Sequence, residues 1–185
     1  MSLANLLIRT TPFLRHYLTC LTVLVTIGIS QQAYATHIRA GEITIKRTNC
    51  NSLTFEITFT GYRDTGSVII FGEGFMDFGD GSDPLLIESS LFTATDVGNG
   101  IEKNVVTITH TFSANGLYVV GYRELNRNAG TLNIDNSVDT PFYTESQIVI
   151  DPFVGCNQSP ELLIPPVDEG CTQSAFYHNP GAFDP

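Results

Sequence analysis

Leu53-Thr54-Phe55-Glu56-Ile57-Thr58-Phe59-Thr60 alternates without a break. Leu53, Phe55, Ile57 and Phe59 share one face, and Thr54, Glu56, Thr58 and Thr60 share the other. A period of two, with one apolar and one polar face, is the signature of a half-buried β-strand. Upstream, Glu42 to Lys46 alternates more briefly through Ile43 and Ile45. The polar turn Arg47-Thr48-Asn49-Cys50-Asn51-Ser52 separates the two segments, which read as an antiparallel hairpin.

The same period continues downstream. Val68 to Phe71 is a short apolar run between glycines, and Pro84 to Glu88 reads as another strand. Lys103 to Phe112 is rich in β-branched residues and sets Val106, Ile108, His110 and Phe112 on one face. Leu117 to Tyr122 follows the turn Ser113-Ala114-Asn115-Gly116, and Gln147 to Ile150 stops at Asp151-Pro152. Strands at this spacing, with turn residues between them and no helical period, predict an all-β antiparallel β-sandwich. Leu91 to Glu102 is expected to be a long loop.

The first 35 residues are set apart. Arg9, Arg15 and His16 precede a 12-residue apolar run, Leu18 to Ile29, and Gln31-Gln32-Ala33-Tyr34-Ala35 follows. A basic start, a short apolar stretch and a small-x-small site predict a signal peptide cleaved between Ala35 and Thr36. The run is too short to span a bilayer, which takes about 20 residues. No transmembrane segment is expected after cleavage. The expected organisation is a signal peptide over 1–35, a sandwich domain over 36–155, and a Pro-rich linker with the truncated start of a second β domain over 156–185.

The whole chain carries 9 Lys+Arg against 19 Asp+Glu, a net charge of -10. Arg9 and Arg15 leave with the signal and no acid does. Such an acid excess argues against nucleic acid and against anionic membrane surfaces as partners. Cys50, Cys156 and Cys171 remain in an export context where disulfides persist. Three single pairings are open, and the short turn-rich separation favours Cys156 with Cys171. Zinc is not expected, because there is no Cys-x-x-Cys and no His at ligand spacing to a Cys.

Asp77-Phe78-Gly79-Asp80-Gly81-Ser82 is the most specific string in the chain. It is followed by Thr109-His110-Thr111-Phe112 and then Gly116-Leu117-Tyr118-Val119-Val120. Together these resemble the PKD domain, an immunoglobulin-like sandwich of extracellular proteins. The resemblance assigns Asp77, Phe78, Gly79, Asp80, Gly81, His110, Gly116, Tyr118 and Val120 to the family motif. It puts Met76 where the family usually has Trp. Several flanking strings widen it: Thr36-His37-Ile38-Arg39-Ala40-Gly41-Glu42, Asn126 to Gly130, Ser137 to Tyr143, Asn157 to Pro160 and His178 to Pro185. The chain thereby resembles the N-terminal region of large secreted proteins of the Bacteroidetes, many of which carry gliding-motility-associated or type IX secretion sorting domains. Such a region is an adhesive or spacing part of the cell surface, joined to further extracellular domains.

Candidate sites are few. Asp77, Asp80 and Asp83 could hold Ca²⁺, which takes several carboxylate and carbonyl oxygens. The alternative is structural: Asp-Gly at 80–81 is a favoured turn, and no bidentate Glu follows at the EF-hand offset. His110, on an apolar strand face, reads as a hydrogen-bonded core histidine, and nothing pairs His37 or His178 with a nucleophile. There is no Gly-x-Ser-x-Gly, no His-Glu-x-x-His and no P-loop. Tyr62, Tyr122 and Tyr143 are candidates for a surface sugar platform, and Arg127 lies in a loop suited to binding. The expected function is non-enzymatic: an extracellular spacer or a module that binds proteins or glycans. The alternative is a carbohydrate-binding accessory module of a secreted hydrolase whose catalytic part lies beyond residue 185. No cofactor is expected beyond the Ca²⁺ candidate.

Overall fold

The computed structural model describes residues 38–67, 69–125, 127, 131, 134–165, 173–175, 177, 179 and 181–185. The expected signal peptide with its Ala35–Thr36 cleavage site, and His37, Cys171 and His178, lie outside the described residues. Eight strands form two four-stranded antiparallel sheets. They are β1 (Ile38–Arg47), β2 (Thr54–Asp64), β3 (Glu73–Asp77), β4 (Leu85–Glu88), β5 (Thr93–Gly98), β6 (Ile101–Thr111), β7 (Gly116–Glu124) and β8 (Phe142–Ile150). The first sheet has the order β1-β2-β6-β5 and the second β4-β3-β7-β8. A two-stranded pair, β9 (Glu161–Leu162) with β10 (Ala182–Phe183), lies in the tail. Among the described residues there is no α-helix, only two short 3₁₀ turns, and no helix is long and apolar enough to cross a membrane.

Alternation builds the core. Phe55, Ile57 and Phe59 of β2 are at most 1% exposed, and they join Ile43 and Ile45 of β1, Val106 of β6 and Phe112 just after β6 in one core. The second sheet answers with Met76, Ile87, Val120, Tyr122, Phe142, Ile148 and Ile150. Met76 takes core volume with an unbranched, adaptable side chain. Phe59 lies at the centre, stacked on Tyr122 with ring centroids 3.9 Å apart and edge-on to Phe71 at 5.6 Å. The opposite face of β2 is hydroxyl-lined, with Thr54 and Thr58 hydrogen-bonded to Thr111 and Thr107 of β6 at 2.9 Å each.

Two expectations about elements are corrected. The run ending at Phe71 is not a named strand: Ile69 to Phe71 is irregular, and Val68 lies outside the described residues. Its Ile69 carbonyl serves a cation, since Arg63 Nη1 donates to the carbonyls of Asp64, Ser67 and Ile69. Arg63 Nε donates to Glu102 Oε1 at 2.8 Å. Leu91 to Glu102 is not a loop but the β5–β6 hairpin, closed by Asn99-Gly100 with both residues at positive φ. That is the primed turn that matches strand twist. The Asn-Gly pair was its sequence signal.

The free edge of β1 is occupied. Ser159 N–H donates to the Ile45 carbonyl at 2.9 Å, and Ile45 N–H donates to Ser159 Oγ at 2.7 Å. Leu162 N–H donates to Glu42 Oε2, and Ile38 makes a parallel bridge with Arg127. An edge strand so covered offers few unpaired groups for another chain to pair with. A disulfide joins Cys50 to Cys156, across 106 residues, with Cα atoms 4.9 Å apart. This corrects the expected pairing of Cys156 with Cys171. The β1–β2 turn and the end of β8 converge in space, and closeness in sequence has no bearing on that.

Candidate functional site

Phe78, Asp80, His110, Phe112 and Tyr118 assemble into one cross-sheet cluster. Residues 78–84 join β3 to β4 in the second sheet, whereas His110 belongs to β6 in the first. Asp80 Oδ2 and His110 Nε2 lie 2.7 Å apart, with side-chain exposures of 10% and 17%. Asp80 Oδ1 accepts from Ser82 N–H at 3.0 Å and from Ser82 Oγ at 2.6 Å. The Ser82 hydroxyl, then His110 and the Ser82 amide, hold the Asp80 carboxyl down at about 2 against the opposing effect of burial. Phe78 stacks flat on the His110 ring, with centroids 3.9 Å apart and planes 5° apart. His110 meets Phe112 edge-on, and Phe112 stacks on Tyr118 at 4.3 Å. Four aromatic rings thus run from the 78–84 loop through β6 to β7.

Gly79 shows why the loop is spelled as it is. It adopts φ +70°, and an added Cβ would stand 2.4 Å from the Val119 carbonyl oxygen, so a side chain there would break the contact with β7. Asp77 Oδ1 accepts the Gly79 N–H at 2.8 Å, the Asx-type turn that Asp favours. Gly116 opens β7, and Tyr118 closes the corner by donating its hydroxyl to the Ala114 carbonyl at 2.9 Å. Val120 points into the core.

The calcium candidates are not gathered. Asp77 and Asp80 turn their oxygens to backbone, Ser82 and His110, while Asp83 is exposed in the same loop. No group of three or more His, Cys, Asp or Glu is placed to hold a metal ion among the described residues. Nor does the carboxylate–imidazole pair have an adjacent nucleophile in Ser82, whose hydroxyl donates to the carboxylate and not to the ring.

A second cluster was not legible in the sequence. Glu124, at the end of β7, is 1% exposed. Tyr122 donates its hydroxyl to Glu124 Oε2, and Gly72 and Glu73 donate their N–H groups to Glu124 Oε1. Burial raises the Glu124 carboxyl above the usual range, and burial next to that carboxyl raises the Tyr122 phenol. The arrangement ties the entry of β3 to the end of β7.

Of the three tyrosines considered as a surface platform, only Tyr143 is exposed. Tyr62 and Tyr122 are 2% and 0% exposed, so both are core residues. Tyr62 follows three inward residues of β2, but the far end of that strand is covered on both faces. Arg127 is half-buried, with its guanidinium over the Phe142 ring and Nη2 donating to the Pro141 carbonyl, so it braces a loop against the sandwich.

The remaining feature lies on the outward face of the second sheet. Phe75, Asp77, Gly121, Arg123 and Tyr143 line a shallow depression of about 410 Å³. Phe75 was missed in the sequence because Glu73-Gly74-Phe75-Met76-Asp77 is short and its glycine breaks the pattern. That glycine is needed, since an added Cβ would collide with the Tyr122 ring. The chain matches no protein-family model, no curated protein and no solved structure.

Proposed function

We propose that the chain is a non-enzymatic module of an exported protein, a PKD-like, immunoglobulin-like sandwich that serves as a rigid spacer with an interaction face. The observation that carries this reading is the cross-sheet clamp of Phe78, Asp80 and His110. The most specific side chains in the sequence are spent on joining two sheets. The strand order supports the immunoglobulin-like assignment, because β1-β2-β6-β5 and β4-β3-β7-β8 match the A-B-E-D and C-F-G sheets with one added strand. Tyr118 supports it further, as its bond back to Ala114 has the form of a tyrosine corner at the start of strand F. The disulfide fits an oxidising compartment. The Bacteroidetes surface-protein resemblance and the cleaved leader belong to this proposal.

The test is fractionation of the producing cell. The expected result is a chain outside the cytoplasm that begins at Thr36 and has Cys50–Cys156 closed. A chain that stays in the cytoplasm with residues 1–35 attached and free thiols would overturn the reading. The second reading, a carbohydrate-binding accessory module, is favoured by the exposed Phe75 and Tyr143.

A further inference from the structure

Strand register places four side chains in one row across the outward face of the second sheet. Leu86 of β4 faces Phe75 of β3, Phe75 faces Arg123 of β7, and Arg123 faces Tyr143 of β8. Leu86, Phe75 and Tyr143 are 45%, 49% and 52% exposed. Single exposed apolar residues are ordinary, but a contiguous row with polar rims marks an interaction surface. The rims here are acidic. Glu73 and Glu88 pair on one side of the row, and Asp77, Gly121 and Glu145 form the next row on the other.

The dimensions and chemistry of the row narrow the occupant. Phe75 and Tyr143 stand on strands separated only by β7, so their backbones are about 9.5 Å apart. Beside the row Gly121 leaves a flat floor, and the Tyr143 ring leans over it: an added Cβ would be 2.9 Å from the Tyr143 hydroxyl and 3.1 Å from its ring. Tyr143 is held in that pose by donating its hydroxyl to Glu145 Oε2 at 2.7 Å. The result is a flat trough with an aromatic ring at each end, a guanidinium between them and carboxylates on its rim. A sugar ring has an apolar C–H face and an equatorial belt of hydroxyls, each both donor and acceptor. Aromatic rings suit the first, and mixed carboxylate and guanidinium groups suit the second.

Other occupants fit less well. The acidic rims and the net charge of -10 repel nucleic acids, acidic glycans and anionic lipids. A second copy would bring Glu73, Glu88, Asp77 and Glu145 against their like. A basic peptide would be drawn to the rims but would meet Arg123 in the middle of the row. We propose that this row binds a neutral hexose polymer, with sugar rings stacked on Phe75 and Tyr143 and their hydroxyls bonded to Arg123, Asp77 and Glu145. The proposal rests on the interaction-module reading and names its ligand class.

The test is electrophoresis of the exported chain through native gels containing hydroxyethylcellulose, glucomannan, galactomannan, a β-1,3-glucan or dextran. At least one polymer retards the chain. Phe75→Ala and Tyr143→Ala each weaken that binding about tenfold, as loss of one aromatic stack requires. Leu117→Ala, on the same face but far along β7, leaves it unchanged. All three positions are exposed, and unchanged melting temperatures confirm that the variants fold. Retardation by none of the five polymers overturns the proposal, as does retardation that survives both aromatic substitutions. Binding of polylysine in place of the neutral polymers overturns it in favour of a basic peptide. Each of these failures leaves the module reading intact if the chain begins at Thr36 outside the cytoplasm.

Discussion

Asp80 takes three hydrogen bonds from two partners and lies between two sheets, so its ionisation is linked to folding. Its carboxyl titrates at about 2 in the folded chain, below the roughly 3.9 of an unfolded aspartate. A depressed carboxyl stabilises the fold above the unfolded value, and that contribution is lost as pH falls through the folded one. Melting temperature should therefore fall between about pH 4 and pH 2, and Asp80→Asn should flatten that fall. At neutral pH the same substitution should cost about 2 kcal/mol, the size of a charge-assisted hydrogen bond. Thermal melts across this pH range measure both, and an unchanged acid slope in the variant would remove Asp80 from the account. The sequence pointed to His110 as a hydrogen-bonded histidine of the sheet, and only the packing of the two sheets made Asp80 its partner. The turn chemistry that the sequence set against a Ca²⁺ site is present, with Asp77 accepting from Gly79 and Asp80 from Ser82 and from His110 across the sheets.

At the scale of elements, β3 depends on β7. β3 has only five residues and follows an irregular segment, and at their junction the N–H groups of Gly72 and Glu73 need an acceptor. Glu124 supplies the acceptor, together with an oxygen for Tyr122. Glu124→Ala would leave two amides and a phenol unpaired and should cost about 2–4 kcal/mol. Glu124→Gln keeps an acceptor for the amides and relieves the burial of a charge. Because burial raises the Glu124 carboxyl, the wild-type fold loses stability as pH rises through that raised value, and the Gln variant should not. Urea titrations at pH 5 and pH 8 distinguish the two, and a Gln variant as unstable as the Ala variant would refute this assignment. The alternation of β2 and β6 made those strands legible. β3 and β5 were missed for different reasons. β3 carries a glycine at an inward position, while β5 is exposed along its whole length and so has no apolar face to announce it.

For the whole molecule, the disulfide is the dominant covalent fact. It closes a loop across 106 residues and joins two exposed cysteines, so its removal leaves no cavity. Its effect is on the unfolded chain, whose entropy it restricts, and for a loop of this length about 4–5 kcal/mol is expected. Cys50→Ser with Cys156→Ser should lower stability by that amount with the native sheets unchanged. The same bond shapes the response to tension. With handles at residues 38 and 157, only the chain ahead of Cys50 can extend, about 40 Å, whereas reduction releases about 420 Å. Single-molecule pulling with and without reductant reads this directly, and a long extension in the oxidised chain would show that the bond is not formed. A spacer benefits from such a bypass, since most of the sandwich then carries no load.

The sequence by itself determined what is local. The period of two set the strands and their inward faces, Asp-Phe-Gly-Asp-Gly-Ser set the turn, and the acid excess set the sign of the net charge. These follow from interactions within a few residues or from composition alone. The tertiary structure decided everything that depends on register between distant strands. It paired Cys50 with Cys156, buried Tyr62 and Tyr122 while leaving Tyr143 outside, and brought Glu124 to the start of β3. It also aligned Phe75, Arg123 and Tyr143 in one row. Those residues lie up to 68 positions apart in the chain. Their proximity comes from the order and register of three neighbouring strands in one sheet, and the local pattern of the sequence carries no record of which strand will lie beside which.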